Sequence, residues 1–150
     1  DNREGIAARL YWGALFGNDF VRDREQDGIN ALLNYGYTVL RAATARALVS
    51  SGLTPSLGIF HHNRSNALPL ADDLMEPYRP FVDEVVYHLC EEVKLEINKE
   101  TKVELFGVLT CDTFFPKVTR PLQIGLSMTM ASLAKCYAGK QKNLSLPLLR

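Results

Sequence analysis

Asp73 and Glu76 stand three residues apart, a spacing that puts both carboxylates on one face of a helix. Two such groups repel unless a cation or a proton lies between them. Pro77 follows directly; it has no N–H, crowds the carbonyl of Asp73 and disfavours helical geometry at Glu76. The sequence therefore predicts a bend at the acidic pair, freeing carboxylate oxygens to face a cleft. A hard divalent cation is the natural occupant, Mg²⁺ or Mn²⁺, and one imidazole added to the set favours Mn²⁺. His61, in the glycine-containing loop just upstream, is the candidate for that imidazole. Spacing alone leaves a plainer alternative open: two exposed helix acids and a loop histidine, since D-x-x-E recurs on many helices.

The rest of a 150-residue chain must position these groups. That length suits one domain able to bury about two-thirds of its unfolded surface. Seventeen basic residues balance seventeen acidic ones, unlike a histone-like nucleic-acid binder, but they are unevenly placed. Residues 51–100 carry four basic and nine acidic side chains, and residues 101–150 carry seven and two. An acidic middle beside a basic final third fits a metal centre flanked by a polyanion-binding surface; two solvated helix faces of opposite sign fit it as well. Cys90, Cys111 and Cys136 are too widely spaced for a zinc ribbon and odd in number, which fits a reducing compartment. Cys90 and Cys136 lie in apolar helical stretches and read as small core residues. No apolar run is long enough to cross a membrane.

The periodicity is that of an all-α, multi-helix domain. Glu4, Ala8, Tyr11 and Leu15 recur at helical spacing up to Phe16, where Gly17-Asn18 ends the run. After a polar loop over 18–26, Asp27 is the expected N-cap of a long central helix to about Val49, stopped by Ser50-Ser51-Gly52. A loop over 53–68 leads to a helical stretch from Pro69, interrupted at Pro77 and Pro80 and expected to run to Ile97. A further helix is expected over about 99–109, and a short irregular or hairpin segment over 110–120 around Pro116. The last helix opens at Pro121 and ends at Gly139, before the basic tail Lys140-Gln141-Lys142.

Several of these segments together resemble a known family. Asn34-Tyr35-Gly36-Tyr37, Gly58-Ile59-Phe60-His61, and Asp73-Leu74-Met75-Glu76-Pro77-Tyr78-Arg79-Pro80 with Val82-Asp83 are similar, in order and separation, to the helical C-terminal domain of CRISPR-associated integrases. These are metal-dependent nucleases that insert new spacers into CRISPR arrays. Asn2-Arg3-Glu4 resembles the segment carrying the family's first acidic ligand. The flavour looks closest to the versions from systems with a single large effector nuclease. The Phe114-Phe115-Pro116-Lys117 segment departs from the glycine-containing turn often found there in the family.

The resemblance implies a metal triad at Glu4, His61 and Glu76, with Asp73 as an accessory acid one turn before the last ligand, all four acting in catalysis. His62 is then a neighbour. Arg64 falls where the family often places a basic residue near DNA phosphate, and Tyr35 on a tyrosine position close to the catalytic centre. Core packing explains Tyr35 equally well, because Tyr37 lies on the adjacent face, and Arg79 can pair with Asp83 at i,i+4 rather than touch DNA. The implied reaction is attack of a spacer 3′-OH on a phosphodiester at the repeat border, with Mg²⁺ or Mn²⁺ as cofactor. Arg120, Lys135, Lys140 and Lys142 would hold backbone phosphates.

The implied partners are DNA (spacer precursor and CRISPR repeat or leader), a second copy bound through an N-terminal β-rich domain missing from this chain, and a small companion protein. The implied place is the prokaryotic cytoplasm, on DNA. Two rival readings remain. One is a non-catalytic helical DNA-binding or interaction domain; the other is a helical phosphohydrolase, for which three histidines are few. Two structural expectations follow. Glu4, His61 and Glu76 should converge with Asp73 nearby, and Leu10, Tyr11 and Leu15 should leave an apolar patch on the first helix.

Overall fold

The computed structural model describes residues 3–59 and 65–149. Six α-helices and one short hairpin account for its regular structure: α1 (Arg3–Phe16), α2 (Ile29–Ser50), α3 (Pro69–Met75), α4 (Arg79–Glu91), α5 (Lys99–Phe106), β1 (Asp112–Phe115), β2 (Val118–Pro121) and α6 (Leu122–Tyr137). A 3₁₀ turn over Glu76–Tyr78 joins α3 to α4, and another over Gly107–Thr110 follows α5. The mostly helical expectation holds, and the 110–120 segment is a hairpin. Its strands pair antiparallel from Asp112↔Pro121 to Phe115↔Val118, so Pro116-Lys117 alone makes the turn without glycine.

The long helix α2 is the hub, packed against α3, α4, α5 and α6. Its inner stripe of Leu32, Leu33, Leu40 and Leu48 is fully buried, facing Leu70, Val82, Val86, Leu105, Leu126 and Met130. Gly36 sits where α2 closely approaches α4, since a Cβ there would run into Val82 Cγ1. Helix α1 differs: none of its residues is buried. Leu10 is 70% exposed and Tyr11 41%, whereas Leu15, expected to share an exposed patch with them, is half-buried. What holds α1 is the Trp12–Phe16–Phe20 stack, with ring centroids 5.0–6.0 Å apart, resting on the core.

Two helix ends differ from expectation. The N-cap of α2 is Gly28 at φ 69°, not Asp27, because the entering chain turns through a left-handed residue that only glycine takes without cost. Helix α4 ends at Glu91, short of Ile97. Lys94 N–H donates to Leu89 O (2.9 Å) and Val93 N–H to Cys90 O (3.0 Å), a Schellman closure with Val93 at φ 58°. The same closure ends α2 at Gly52 and α6 at Gly139. Only in α4 does a β-branched residue take the left-handed position, which is why the sequence carries no stop signal there.

At the far side, the chain end is stitched onto the fold. Leu148 N–H donates to Phe114 O (2.7 Å), and Ser145 N–H donates to Ser132 Oγ (2.9 Å). Thr129 gives its hydroxyl proton to Ser145 O (2.6 Å), so the buried Tyr78 phenol, 2.6 Å away, is the donor to Thr129. Burial pushes the Tyr78 phenol up to about 12.

Candidate metal and DNA site

The expected bend is where the acidic pair lies. Helix α3 stops at Met75, Pro77 sits in the 3₁₀ turn, and α4 restarts at Arg79. Met75 and Tyr78 are buried on either side, which leaves Glu76 exposed on the outer edge. Its carboxylate pairs with Arg79 Nη2 at 3.1 Å. The Arg79–Asp83 pair suggested by i,i+4 spacing does not form. Asp83 is 3% exposed and its oxygens are taken by two phenols: Tyr11 donates to Oδ2 (2.5 Å) and Tyr37 to Oδ1. Arg79 instead lies over the Tyr37 ring, 5.0 Å from its centroid, with Arg22 at 5.7 Å.

Burial raises the Asp83 carboxyl above its usual range, opposed by the two phenol bonds and then by the charges of Arg79 and Arg22. Burial and the same carboxylate hold the Tyr11 and Tyr37 phenols well above the ordinary value.

Asp73 turns the other way. Its Oδ2 accepts the backbone N–H of Ile59 at 2.7 Å, so α3 grips the chain two residues before His61. The neighbouring Asp72 grips the other side of that loop. It pairs with Arg41 (2.6 Å) and accepts from Asn66 Nδ2 (2.5 Å), while Arg41 Nη2 donates to Asn66 Oδ1 (2.7 Å). The hydrogen bond to Asp72 holds the Arg41 guanidinium above its usual value. Sequence reasoning missed this Arg41–Asp72–Asn66 anchor. Its one signal was a charged Arg41 within the apolar run of α2.

The expectations placed on His61 and Arg64 fall outside the described residues. Glu4 is exposed in the first turn of α1. Among the described residues no three His, Cys, Asp or Glu side chains come together to hold an ion, so Glu4, Asp73 and Glu76 make no site by themselves. The donors that are described are all carboxylates, a set that suits a hard cation such as Mg²⁺ or Mn²⁺. Burial pushes the half-buried Cys90 thiol up, and the Cys111 thiol to about 11.

Of the two tyrosines in the Asn34–Tyr37 motif, Tyr37 reaches the Arg79–Glu76 pair. Tyr35 lies beside α5 under Lys102 Nζ, 5.7 Å from the ring centroid, in a shallow groove with Lys99 and Phe106. Asn34 and the buried Asn30 bind Arg22 at 2.7 and 2.9 Å and so tie down the loop before α2. Arg120, Lys135, Lys140 and Lys142 are all exposed on the hairpin, the last turn of α6 and the tail.

The described residues form a mostly helical domain that presents Glu76 on an exposed turn between α3 and α4. The chain belongs to the CRISPR associated protein Cas1 family, whose model matches residues 2–114. It is 50% identical over 110 residues to the CRISPR-associated endonuclease Cas1 of Neisseria meningitidis serogroup C (strain 8013), covering 72% of this chain and 36% of that protein. It is 33% identical over 138 residues to a CRISPR-associated endonuclease Cas1 of Pyrobaculum aerophilum, covering 88% of this chain and 46% of that one. Among solved structures, a casposase bound to integration product is similar with a TM-score of 0.79 and 25% identity, over 95% of this chain and 50% of that one. The chain thus spans less than half the length of these two curated relatives.

Proposed function

We propose that this chain is the helical catalytic part of a divalent-metal-dependent DNA endonuclease and integrase that inserts spacers into a CRISPR array. The observation that carries this reading is the Asp73–Ile59 bond, which fastens the stem of the Gly58-Ile59-Phe60-His61 segment to the helix whose next turn offers Glu76. The relatives named as endonucleases, and the casposase bound to integration product, support the reaction class.

In this reading Glu4, His61 and Glu76 hold Mg²⁺ or Mn²⁺, and Asp73 fixes the loop that delivers His61. The ion, when bound, neutralises charge on the attacked phosphate. Arg79 restrains Glu76 by pairing with it. Arg64, Arg120, Lys135, Lys140 and Lys142 bind DNA backbone phosphates, with Tyr35 beside Lys102 as a further contact. A spacer 3′-OH attacks a phosphodiester at the repeat border; one P–O bond forms and one breaks. The partners are spacer and repeat DNA, a second copy joined through a β-rich N-terminal domain, and a small companion protein. The setting is the prokaryotic cytoplasm. Among the described residues no helix is long and apolar enough to cross a membrane.

The test is strand transfer by full-length protein carrying Glu76→Gln, Glu76→Ala or His61→Ala. Transfer should fall at least about a hundredfold, as when a developing charge loses its stabiliser. DNA binding should persist, because counterion release by Lys and Arg does not need the ion. Transfer left intact, or transfer lost only in step with DNA binding, would instead make these residues structural in a DNA-binding domain.

A further inference from the structure

Glu4 and Tyr11 stand seven positions apart, as do Glu76 and Asp83. On α1 that interval is about two turns, which brings Tyr11 back to the face that carries Glu4. The 2.5 Å Tyr11–Asp83 hydrogen bond therefore links the two acid-bearing segments, each at a point about two turns beyond its acid. Nothing in α1 is buried, and the Trp12–Phe16–Phe20 stack is apolar adhesion, which is non-directional and tolerates sliding. A directional bond to a buried carboxylate does not tolerate it. Tyr37 and the guanidinium of Arg79 over its ring fix Asp83 from the bundle side.

We infer that Asp83 is a positioning residue: through Tyr11 it sets the register of α1 on the bundle, and so the place of Glu4 relative to Glu76. The docking of α1 stands on the geometry alone, and its consequence for the ion rests on the metal-site reading above. Asp83 touches neither acid and acts only through the helix it anchors. Its second phenol provides an internal control, since Tyr37 bonds the same carboxylate from α2, within the bundle.

The experiment compares full-length parent protein with Tyr11→Phe and Tyr37→Phe by amide hydrogen exchange and by Mn²⁺ titration. Tyr11→Phe should make α1 amides exchange at least about tenfold faster, with α2 to α6 unchanged, and should weaken Mn²⁺ binding several-fold. Tyr37→Phe should lower global stability without singling out α1. Equal α1 exchange in parent and Tyr11→Phe would overturn the inference, as would the same pattern from both variants. Glu4→Gln and Glu76→Gln separate the two readings. If neither weakens Mn²⁺ binding, the metal-site reading fails, while the exchange data still decide whether Asp83 docks α1.

Discussion

Helices α1 and α2 are both rich in apolar residues, yet different physics holds them. Ten of the 22 residues of α2 are buried, against none of the 14 of α1. In α2 the leucines recur on one stripe and four neighbouring helices cover them. In α1 Ile6 and Leu10 face outward at 60% and 70% exposure, and a phenol–carboxylate bond takes over the task of fixing position. A buried leucine contributes about 1.5–3 kcal/mol relative to an exposed one, so similar composition yields a core element in one case and an attached one in the other.

The largest effect should come from Leu40→Ala in α2, at about 2–5 kcal/mol in chemical denaturation, because the side chain is fully buried. Leu10→Ala should move stability by no more than about 0.5 kcal/mol. Equal losses at the two positions would break the comparison. Gly36→Ala probes how closely α2 packs. Helix propensity favours alanine by about 1 kcal/mol, but the clash with stiff, β-branched Val82 costs about 1–3 kcal/mol, for a net loss of up to about 2 kcal/mol. A gain in stability would mean that α4 gives way.

The polar hold on α1 should be visible at high pH. Tyr11 and Tyr37 have folded-state pKa values raised above the unfolded phenol. Their contribution is then complete below about pH 10 and is lost as pH rises beyond it. Stability should therefore fall more steeply above pH 10 in the parent than in Tyr37→Phe, followed by urea midpoints across pH 9–12. Parallel curves would count against the phenol bonds. A smaller effect than that of Leu40 concerns helix ends. Relieving the left-handed strain at Val93 by Val93→Gly should stabilise by about 0.5–1 kcal/mol after the extra freedom of glycine in the unfolded chain is counted. The shift should be read as a higher melting temperature.

Local pattern announced much of this molecule. Periodicity gave the helices, Pro77 gave the break beside Glu76, and the Thr- and Phe-rich run around Pro116 marked a hairpin or irregular segment where a hairpin stands. What remained hidden depends on partners distant in the chain. Tyr11 and Asp83 are 72 residues apart, and Arg41 and Asp72 are 31 apart, so no spacing rule links them. The i,i+4 rule pointed Arg79 to Asp83 because it takes both as solvent-facing. Burial gave Asp83 to the phenols and left Arg79 for Glu76. Of the candidate site, the carboxylate turn was legible, whereas the two adjacent acids that grip opposite sides of the loop were not.

The chain Tyr78–Thr129–Ser145 has a mechanical meaning. Tyr78 closes the turn that begins at Glu76, and its phenol leans on Thr129 of α6, whose hydroxyl in turn grips the carbonyl of Ser145 in the tail. Three rigid groups in series make a strut, with short bonds of 2.6 Å at both joints. The strut joins the backbone at residue 145 to the turn two residues from Glu76. The carboxylate turn is thereby braced from α6 and from the tail as well as by its own flanking helices.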